Sequence, residues 1–451
     1  MMDPLGLPAW HRASRAMLLI CAVLSHTAFA GDEVIPAPAD EANWSLRGQL
    51  TNITQGHNTF RSPYSGNNSL TANSRTEETT DITLFAGYRI GPRTELWINS
   101  EIDQGFGLSN TLGLAGYPSG GAYKLGENQP YLRLPRLFIR HVWYVDGEAV
   151  PVEGAANQFA GSRTSENLVL TAGKLSVTDI FDNNQYAHDP RADFLNWAVI
   201  DGGAFDYAAD VWGYTNGLAL EWNRKNNALR AGLFQLSPSP NSKIAGIHRG
   251  QYSLIVEAEQ NLDWQGHPGK LRLLGFVNRA KMSLYQDALA LTNASGNAPD
   301  PALTRKLSSN TGFVLNLEQE IAQDTGVFAR FSKNRGDKEA YEFTDISQSL
   351  SAGLSLKGGR WRRPADQVGI AMVMNTLSAD AKQYFAAGGM GVLIGDGRLN
   401  YGPEQILEAY YAFRPHPQLT LSIDYQHINH PAYNRDRGPV SLLGFRLHGE
   451  F

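Results

Sequence analysis

The sequence has one cysteine among its 451 residues, Cys21, which lies close to the amino terminus. Beyond that position the chain has no residue for a disulfide framework, a cysteine metal site or a thiol nucleophile. No apolar run reaches the ~20 residues that a membrane-spanning helix needs. A strongly basic stretch is also missing, which argues against nucleic-acid binding. These absences exclude disulfide-rich domains, helical membrane proteins and nucleic-acid-binding proteins.

Motifs of common enzyme and cofactor sites are missing too. The chain contains neither the HExxH zinc motif nor the G-x-S-x-G nucleophile turn. Residues 388–391 (GGMG) lack the spacing of a dinucleotide-binding loop. Asp179, Asp182 and Asn184 lack the spacing of an EF-hand. We therefore expect a protein that is not an enzyme and that holds no cofactor or metal.

The first thirty residues have the layout of a secretory signal peptide. Its parts are a basic region with Arg12 and Arg15, the apolar residues 17–24 (MLLICAVL) and an A-x-A cleavage site at 28–30. The apolar region is too short for a membrane anchor. We expect residues 1–30 to be removed and residues 31–451 to form a single exported domain.

The rest of the chain alternates apolar and polar residues with a period of two. In residues 419–426 (LTLSIDYQ), leucine, isoleucine and tyrosine alternate with threonine, serine, aspartate and glutamine. This period places apolar residues on one face of a strand and polar residues on the other. Most segments are near the ~10 residues that a tilted strand needs to cross a bilayer. The candidate strands lie at about 44–55, 81–90, 94–103, 134–144, 167–175, 214–223, 227–236, 251–259, 269–279, 311–320, 325–332, 348–357, 367–375, 403–413, 417–427 and 441–451.

Short and long connections alternate along this series. Residues 91–93 and 323–324 are short links, whereas 104–133 and 176–213 are long ones. Outer-membrane barrels have short periplasmic turns and long external loops. The link at 145–166 breaks the rhythm, because it falls on the short side but is long. The sequence therefore predicts an all-β protein, a transmembrane antiparallel β-barrel of about 16 strands with both ends in the periplasm.

Aromatic residues fall at the ends of the outward strand faces and predict two interfacial girdles. Tyr88, Trp222, Phe413 and Phe451 lie at the inner ends, and Tyr252 and Tyr425 at the outer ends. The last strand ends on Phe451, which resembles the terminal signal that the barrel-insertion machinery recognises. We therefore expect that machinery, outer-membrane lipid and lipopolysaccharide as partners, and no nucleic acid.

Several unusual segments resemble the carbohydrate-selective outer-membrane porins, the family of which porin B is the type. They are residues 60–66 (FRSPYSG), 101–113 (EIDQGFGLSNTLG), 173–197 with DIFDNN at 179–184 and DFLNW at 193–197, 394–404 (IGDGRLNYGPE) and 431–440 (PAYNRDRGPV). The resemblance covers nearly the whole chain after residue 30. It implies a pore in the outer membrane of a Gram-negative bacterium, with sixteen strands and long external loops that fold inward to a narrow eyelet. It also implies passive diffusion of glucose or related sugars.

The predicted inner face carries charges of both signs. The candidates are Arg47, Arg89, Arg136, Arg140, Arg230, Arg272 and Arg330, with Glu95, Glu101, Asp103, Glu221, Glu257, Glu318, Glu408 and Asp424. A lining of one sign selects the opposite ion, whereas a mixed lining suits a neutral polyhydroxylated solute. The simpler interpretation of any one of these side chains is a solvated wall charge without a binding role.

Two adjacent strands supply the best candidates for the eyelet. Glu101 and Asp103 lie at the outer end of the third strand, and Arg136 and Arg140 share one face of the fourth. Antiparallel neighbours can pair across strands, and arginine forks and carboxylates bind sugar hydroxyls well. We therefore predict that these four side chains contact the sugar.

Two further residues complete the predicted site. Asn110 lies in the second of the matching segments, and Trp197 lies in the long 176–213 link. Trp197 or Trp212 is expected to stack on the apolar face of a sugar. Packing of the loop against the barrel wall is the alternative role for Trp197.

The sequence thus predicts an outer-membrane porin for passive, selective diffusion of glucose-like mono- or oligosaccharides into the periplasm. A general or anion-preferring diffusion porin is the alternative. A barrel enzyme would need a serine and histidine pair on adjacent outward positions, which the sequence lacks. The loops also lack the repeats expected of an adhesin or an assembly scaffold.

Overall fold

The described chain, residues 43–123, 126–248 and 250–451 of a computed structural model, closes into one antiparallel β-barrel. Each strand pairs with its neighbours in sequence, and the first pairs with the last. The strands are β1 (Trp44–His57), β2 (Arg75–Gly91), β3 (Thr94–Gly105), β4 (Glu127–Val152), β5 (Gly161–Leu175), β6 (Thr215–Asn223), β7 (Asn227–Gln235), β8 (Tyr252–Trp264), β9 (His267–Met282), β10 (Lys306–Ala322), β11 (Thr325–Asn334), β12 (Gln348–Gly358), β13 (Arg363–Thr376), β14 (Glu404–His416), β15 (Leu419–Asn429) and β16 (Val440–Glu450). Every predicted strand is found, so the predicted barrel is confirmed. The predicted signal peptide lies outside the described residues.

The barrel wall is apolar outside and polar inside. On β15, Ile423 and Tyr425 are 60% and 42% exposed, whereas Ser422 and Asp424 are buried in the interior. The same alternation runs along β10, where Leu315 is exposed outward. A soluble protein would hide these apolar side chains, so this arrangement is that of a barrel whose outer face meets lipid.

The predicted aromatic girdles are present on the outer face. Trp222 and Phe451 are exposed at the periplasmic ends of their strands, and Tyr252 and Tyr425 are exposed at the external ends. Backbone hydrogen bonds between Gly48 and Phe451 lie at the seam where β1 meets β16. The carboxyl terminus therefore takes part in closing the barrel.

Three helices and five short 3-10 turns lie between the strands of the described chain. The helices are α1 (Trp197–Ile200), α2 (Tyr285–Ser295) and α3 (Ala379–Ala386), and the 3-10 turns are Leu108–Thr111, Val177–Asp179, Pro301–Leu303, Gly359–Trp361 and Pro431–Tyr433. Among the described residues, no helix combines the length and the apolarity that crossing a membrane requires.

The connection between β5 and β6, residues 176–214, folds into the barrel; we call it the eyelet loop. Phe181, Phe194, Trp197 and Phe205 of this loop are buried in an apolar cluster with inward side chains of the wall. A second external connection, described over residues 106–123, also enters the lumen, where Leu114 is buried. The predicted inward folding of long external loops is therefore present.

Strand β4 contains an irregularity that decides which of its side chains face the lumen. Asn99 of β3 pairs with Arg136, but Glu101 pairs with Arg133, so β4 uses one more residue than β3 over this stretch. Pro135 lies in the extra stretch, and proline favours such bulges because it cannot donate a ladder hydrogen bond. The bulge turns both Arg133 and Arg136 inward.

Candidate pore eyelet

The eyelet loop is held by charged side chains that point inward from the wall. Glu408 of β14 accepts hydrogen bonds from the backbone amides of Leu195 at 2.5 Å and Asn196 at 3.1 Å. Arg446 of β16 donates to the carbonyl oxygens of Pro190 at 2.7 Å and Ala192 at 2.9 Å. Both charged side chains are buried. Because hydrogen bonds to charged groups contribute ~1.5–3 kcal/mol each, these contacts fix the loop firmly.

A second group of anchors lies farther along the loop. Arg330 of β11 donates to the carbonyl oxygens of Val199 at 2.8 Å and Asp182 at 3.0 Å. Asp206 accepts from the backbone amides of Tyr341 at 2.7 Å and Phe343 at 3.0 Å, which joins the eyelet loop to the external connection 335–347. Arg330 and Glu408, which the sequence suggested as solvated wall charges, are therefore loop anchors.

Asn196 connects the two loops that enter the lumen. Its side-chain oxygen accepts from the amide of Ala198 and caps α1. Its amide nitrogen donates to the carbonyl oxygen of Gly116 and to the side chain of Gln426, each at 3.0 Å. One side chain thus joins the eyelet loop, the 106–123 connection and the wall.

The acidic residues predicted on β3 pair with an arginine that the sequence did not single out. Glu101 accepts from Arg133 at 2.5 Å, and Asp103 also accepts from Arg133. The expected pairing of these carboxylates with Arg136 and Arg140 is not found in the structure. In the strand register, Asn99 lies opposite Arg136 and Glu95 lies opposite Arg140. The bulge at Pro135 then brings Arg133, in place of Leu134, opposite Glu101.

Arg133 lies beneath aromatic rings. Its guanidinium carbon is 4.2 Å from the ring centre of Tyr123, 5.7 Å from that of Trp212 and 5.8 Å from that of Tyr214. A desolvated cation over an aromatic face is attracted by the ring. Glu101 and Asp103 therefore position Arg133, and Arg133 supports the rings that line the pore.

A second arginine completes the charged cluster from the loop side. Arg191 of the eyelet loop donates to Asp81 of β2 at 3.1 Å, and it lies 3.6 Å from Glu101. These carboxylates raise the pKa of the Arg191 guanidinium and outweigh the opposing effect of its burial. Arg191 therefore stays charged, and the carboxylates of Asp81 and Glu101 on the barrel wall balance its charge.

Arg136 spans the gap between the wall and the eyelet loop. Its Nε and Nη2 donate to the two carboxylate oxygens of Asp179 at 2.8 and 2.7 Å, which is the bidentate geometry of a strong ion pair. Arg140 behaves differently, because its Nη1 donates to the carbonyl oxygen of Asn157 at 2.6 Å. The two arginines of the predicted pair thus act at different heights in the lumen.

An open cavity of about 220 Å³ lies above the Arg136–Asp179 pair. Loops form most of its wall, and Arg136 is the strand residue among its described lining. Aromatic side chains surround it: Tyr117, Tyr123, Trp197, Tyr207, Trp212, Tyr214 and Phe343. Aromatic faces beside charged hydrogen-bonding groups suit a solute with an apolar face and hydroxyls at its edges.

The two predicted tryptophans differ in how their faces are covered. Trp197 is 1% exposed; one face stacks on Tyr117 with ring centres 5.3 Å apart, and its edge meets Phe343. Both of these ring contacts are with residues of other loops, Tyr117 between β3 and β4 and Phe343 between β11 and β12. Trp212 is only half-buried in the same cavity, and Lys243 lies 4.6 Å from its ring centre.

Asn110 lies away from this cavity. It is exposed in the 3-10 turn Leu108–Thr111, and the described lining includes Thr111 but not Asn110. Glu101 and Asp103 are buried behind Arg133. Of the six predicted site residues, Arg136 and Trp197 line the cavity directly.

Asp201 adds a titratable group at the back of the cavity. It is 4% exposed and accepts a hydrogen bond from the hydroxyl of Tyr207 at 3.1 Å. Burial, together with the charge of nearby Asp182, raises the pKa of Asp201 to about 7. Within the described chain, no group of three or more acidic, histidine or cysteine side chains could hold a metal ion.

The comparisons with known proteins agree with this geometry. Residues 67–451 match the family model described as "Carbohydrate-selective porin, OprB family". The chain belongs to this porin family. Membership places it in the Gram-negative outer membrane, among channel proteins rather than enzymes, as the sequence segments predicted.

Solved structures share the barrel of this porin. The high-pH structure of Pseudomonas putida OprB is 17% identical, with a TM-score of 0.68 over 91% of this chain and 94% of that one. The outer membrane channel DcaP of Acinetobacter baumannii is 12% identical, with a TM-score of 0.52 over 90% of this chain and 97% of that one. At these identities the likeness shows the fold.

One curated relative matches over a shorter part of the chain. Porin AaxA of Chlamydia caviae is 20% identical over 292 residues, which cover 64% of this chain and 55% of that protein. The matched region thus spans about half the length of this relative.

Proposed function

We propose that this porin passes neutral mono- or oligosaccharides into the periplasm by passive diffusion. The observation that carries the proposal is the cavity above Arg136 and Asp179, which combines aromatic rings with charges that are already paired. A sugar presents both a ring of hydroxyls and apolar C–H faces. The cavity offers a partner to each.

The paired charges favour a neutral solute over an ion. Arg133, Arg136 and Arg191 each have a carboxylate partner within 3.1 Å. A pore lined by one sign of charge selects the opposite ion, whereas paired charges leave little net field. They still offer fixed donors and acceptors to hydroxyl groups.

The energetics suit passage rather than retention. A hydrogen bond that replaces one to water contributes only ~0.5–1.5 kcal/mol net. Several such exchanges give weak binding, which a channel needs so that the solute can leave. Stacking on the half-buried Trp212 orients the sugar ring and leaves the cavity open.

Liposome swelling tests the proposal directly. We expect reconstituted channel to admit glucose faster than gluconate, a charged solute of similar size. Replacing Trp212 with alanine should reduce this preference, whereas Trp212→Phe should retain it because the ring face remains. Equal rates for the two solutes would indicate a general porin, and faster entry of gluconate would indicate an anion-preferring one.

A further inference from the structure

The periplasmic side of the lumen contains an element that the eyelet does not explain. The turn between β4 and β5, residues 153–160, is longer than the turns 224–226, 265–266 and 323–324. This is the link whose length broke the predicted rhythm. We call it the inner turn, because it folds against the inner wall of the barrel.

An aromatic anchor holds the inner turn in place. Phe159 is 8% exposed, and its ring centre lies 5.0 Å from that of Trp97, which is fully buried. The guanidinium of Arg89 lies 4.6 Å from the centre of the Phe159 ring, and its Nη2 donates to the carbonyl oxygen of Ala160 at 3.1 Å. A free periplasmic turn would not bury its phenylalanine in this way.

The tip of the inner turn reaches Arg140. The carbonyl oxygen of Asn157 accepts from Arg140 Nη1 at 2.6 Å, while Glu95 lies 3.7 Å from the same nitrogen. The backbones of Ala155 and Gln158 hydrogen-bond to each other in both directions and stiffen the tip. Arg140, predicted as an eyelet residue, therefore holds a second structure below the eyelet.

A second open cavity of about 310 Å³ lies between the inner turn and Asp179; we call it the lower chamber. Asp179 and His188 line both this chamber and the cavity above. A solute that passes the Arg136–Asp179 pair therefore enters the lower chamber next. The inner turn forms the far wall of that chamber.

The lining of the lower chamber includes two polar atoms without a partner. Asn157 Oδ1 and Thr171 Oγ1 are buried and have no hydrogen-bond partner among the described residues. Such groups cost free energy unless something bonds to them. Phe138 also lines the chamber, with the guanidinium of Arg140 5.3 Å from its ring centre.

We propose that the lower chamber is a second binding site for a sugar unit, closed on the periplasmic side by the inner turn. This proposal rests on the proposed sugar function. Under it, a solute passes two sites in series, and a chain of two linked sugar units occupies both at once. The inner turn then acts as a specificity element for the length of the permeating sugar.

Cysteine protection tests the second site separately from the first. The chain's single cysteine is removed by Cys21→Ala, and Gln158→Cys or Ala156→Cys places a thiol in the lower chamber. Its reaction with a charged methanethiosulfonate reagent is timed with and without saturating glucose. Glu148→Cys, exposed on the same hairpin, is the matched control.

We expect glucose to slow labelling in the lower chamber several-fold and to leave labelling at Glu148→Cys unchanged. Adding Phe159→Ala should abolish the protection, because the inner turn loses its anchor. Equal labelling rates with and without glucose at both chamber positions would overturn the second site. Glucose block of the wild-type ion current reports on the eyelet, so a channel that is blocked but shows no chamber protection refutes only the second site.

Discussion

Arg136 and Asp179 form the contact at which the barrel wall meets the eyelet loop. Their bidentate pair lies at the floor of the aromatic cavity and borders the lower chamber. Both side chains keep some exposure, at 17% and 28%. A passing solute therefore meets this pair, whereas Glu101 and Asp103 are buried behind Arg133.

Removing the guanidinium should weaken sugar binding. We expect Arg136→Ala to reduce glucose block of the ion current by roughly 2- to 10-fold, which corresponds to the loss of one or two hydrogen bonds. Conductance should rise or stay level, because the pore widens. Arg136→Lys is the control, since it keeps the charge but loses the fork. Unchanged glucose block in Arg136→Ala would show that this arginine has only a structural role.

Asp201 is the residue from which we predict a pH dependence of the pore. Because burial raises its pKa to about 7, Asp201 is neutral below that pH and negatively charged above it. We expect cation preference, measured as reversal potential in a salt gradient, to increase as the pH rises through about 7. Asp201→Asn should remove that part of the change. An identical pH profile in the variant would contradict this assignment.

At the scale of elements, the eyelet loop depends on anchors from the wall. Glu408→Ala leaves two buried amides without an acceptor, at a cost of ~1–3 kcal/mol for each unsatisfied group. We expect larger and noisier single-channel currents from a loosened loop, with the barrel still folded. Glu221→Ala is the matched control, because Glu221 contacts Arg230 of the neighbouring strand instead. Equal noise in the two variants would argue against anchoring by Glu408.

The closing strand depends on its last residue. The backbone of Phe451 exchanges hydrogen bonds with Gly48, so its deletion shortens the seam between β1 and β16. We expect the deletion to lower the yield of folded barrel, seen as loss of the heat-modifiable band on a gel. Phe451→Tyr should fold normally, because it keeps the backbone and the ring. Full yield after deletion would exclude Phe451 as an assembly signal.

The strands were predictable because apolar residues at every second position mark the strand face that meets lipid. Where the backbone departs from that period, the sequence pattern no longer indicates which side chains face the lumen. The bulge at Pro135 places Arg133 opposite Glu101, where an unbroken register would place Leu134, and no regular alternation indicates this. Pro135 is a sequence signal of this bulge, because proline cannot donate a ladder hydrogen bond. Arg136 was found because it lies on a strand.

The loop residues of the eyelet were harder to predict, because loops carry no periodicity. Asp179, Arg191 and Tyr214 reach the cavity through contacts between distant parts of the chain. The family segment at 173–197 marked the region but not the individual roles. Trp212 was named as an alternative, and its half-buried position in the cavity makes it the better candidate for stacking.

At the scale of the whole molecule, the barrel forms a lipid-facing shell and its loops form most of the cavity wall. The outer face is apolar, the inner face anchors the eyelet loop, and the cavity walls come mainly from loops. Family membership agrees with an outer-membrane channel. The paired charges and aromatic rings are the features on which the proposed sugar path rests.

The central claim is that a neutral sugar binds within the open pore. The most direct measurement is the single-channel ion current of the wild-type protein in a planar bilayer while glucose is titrated. The account predicts reversible, saturable reduction of the current by glucose and little reduction by an uncharged polymer too large to enter. A glucose effect no greater than the change in bulk solution conductivity would contradict it.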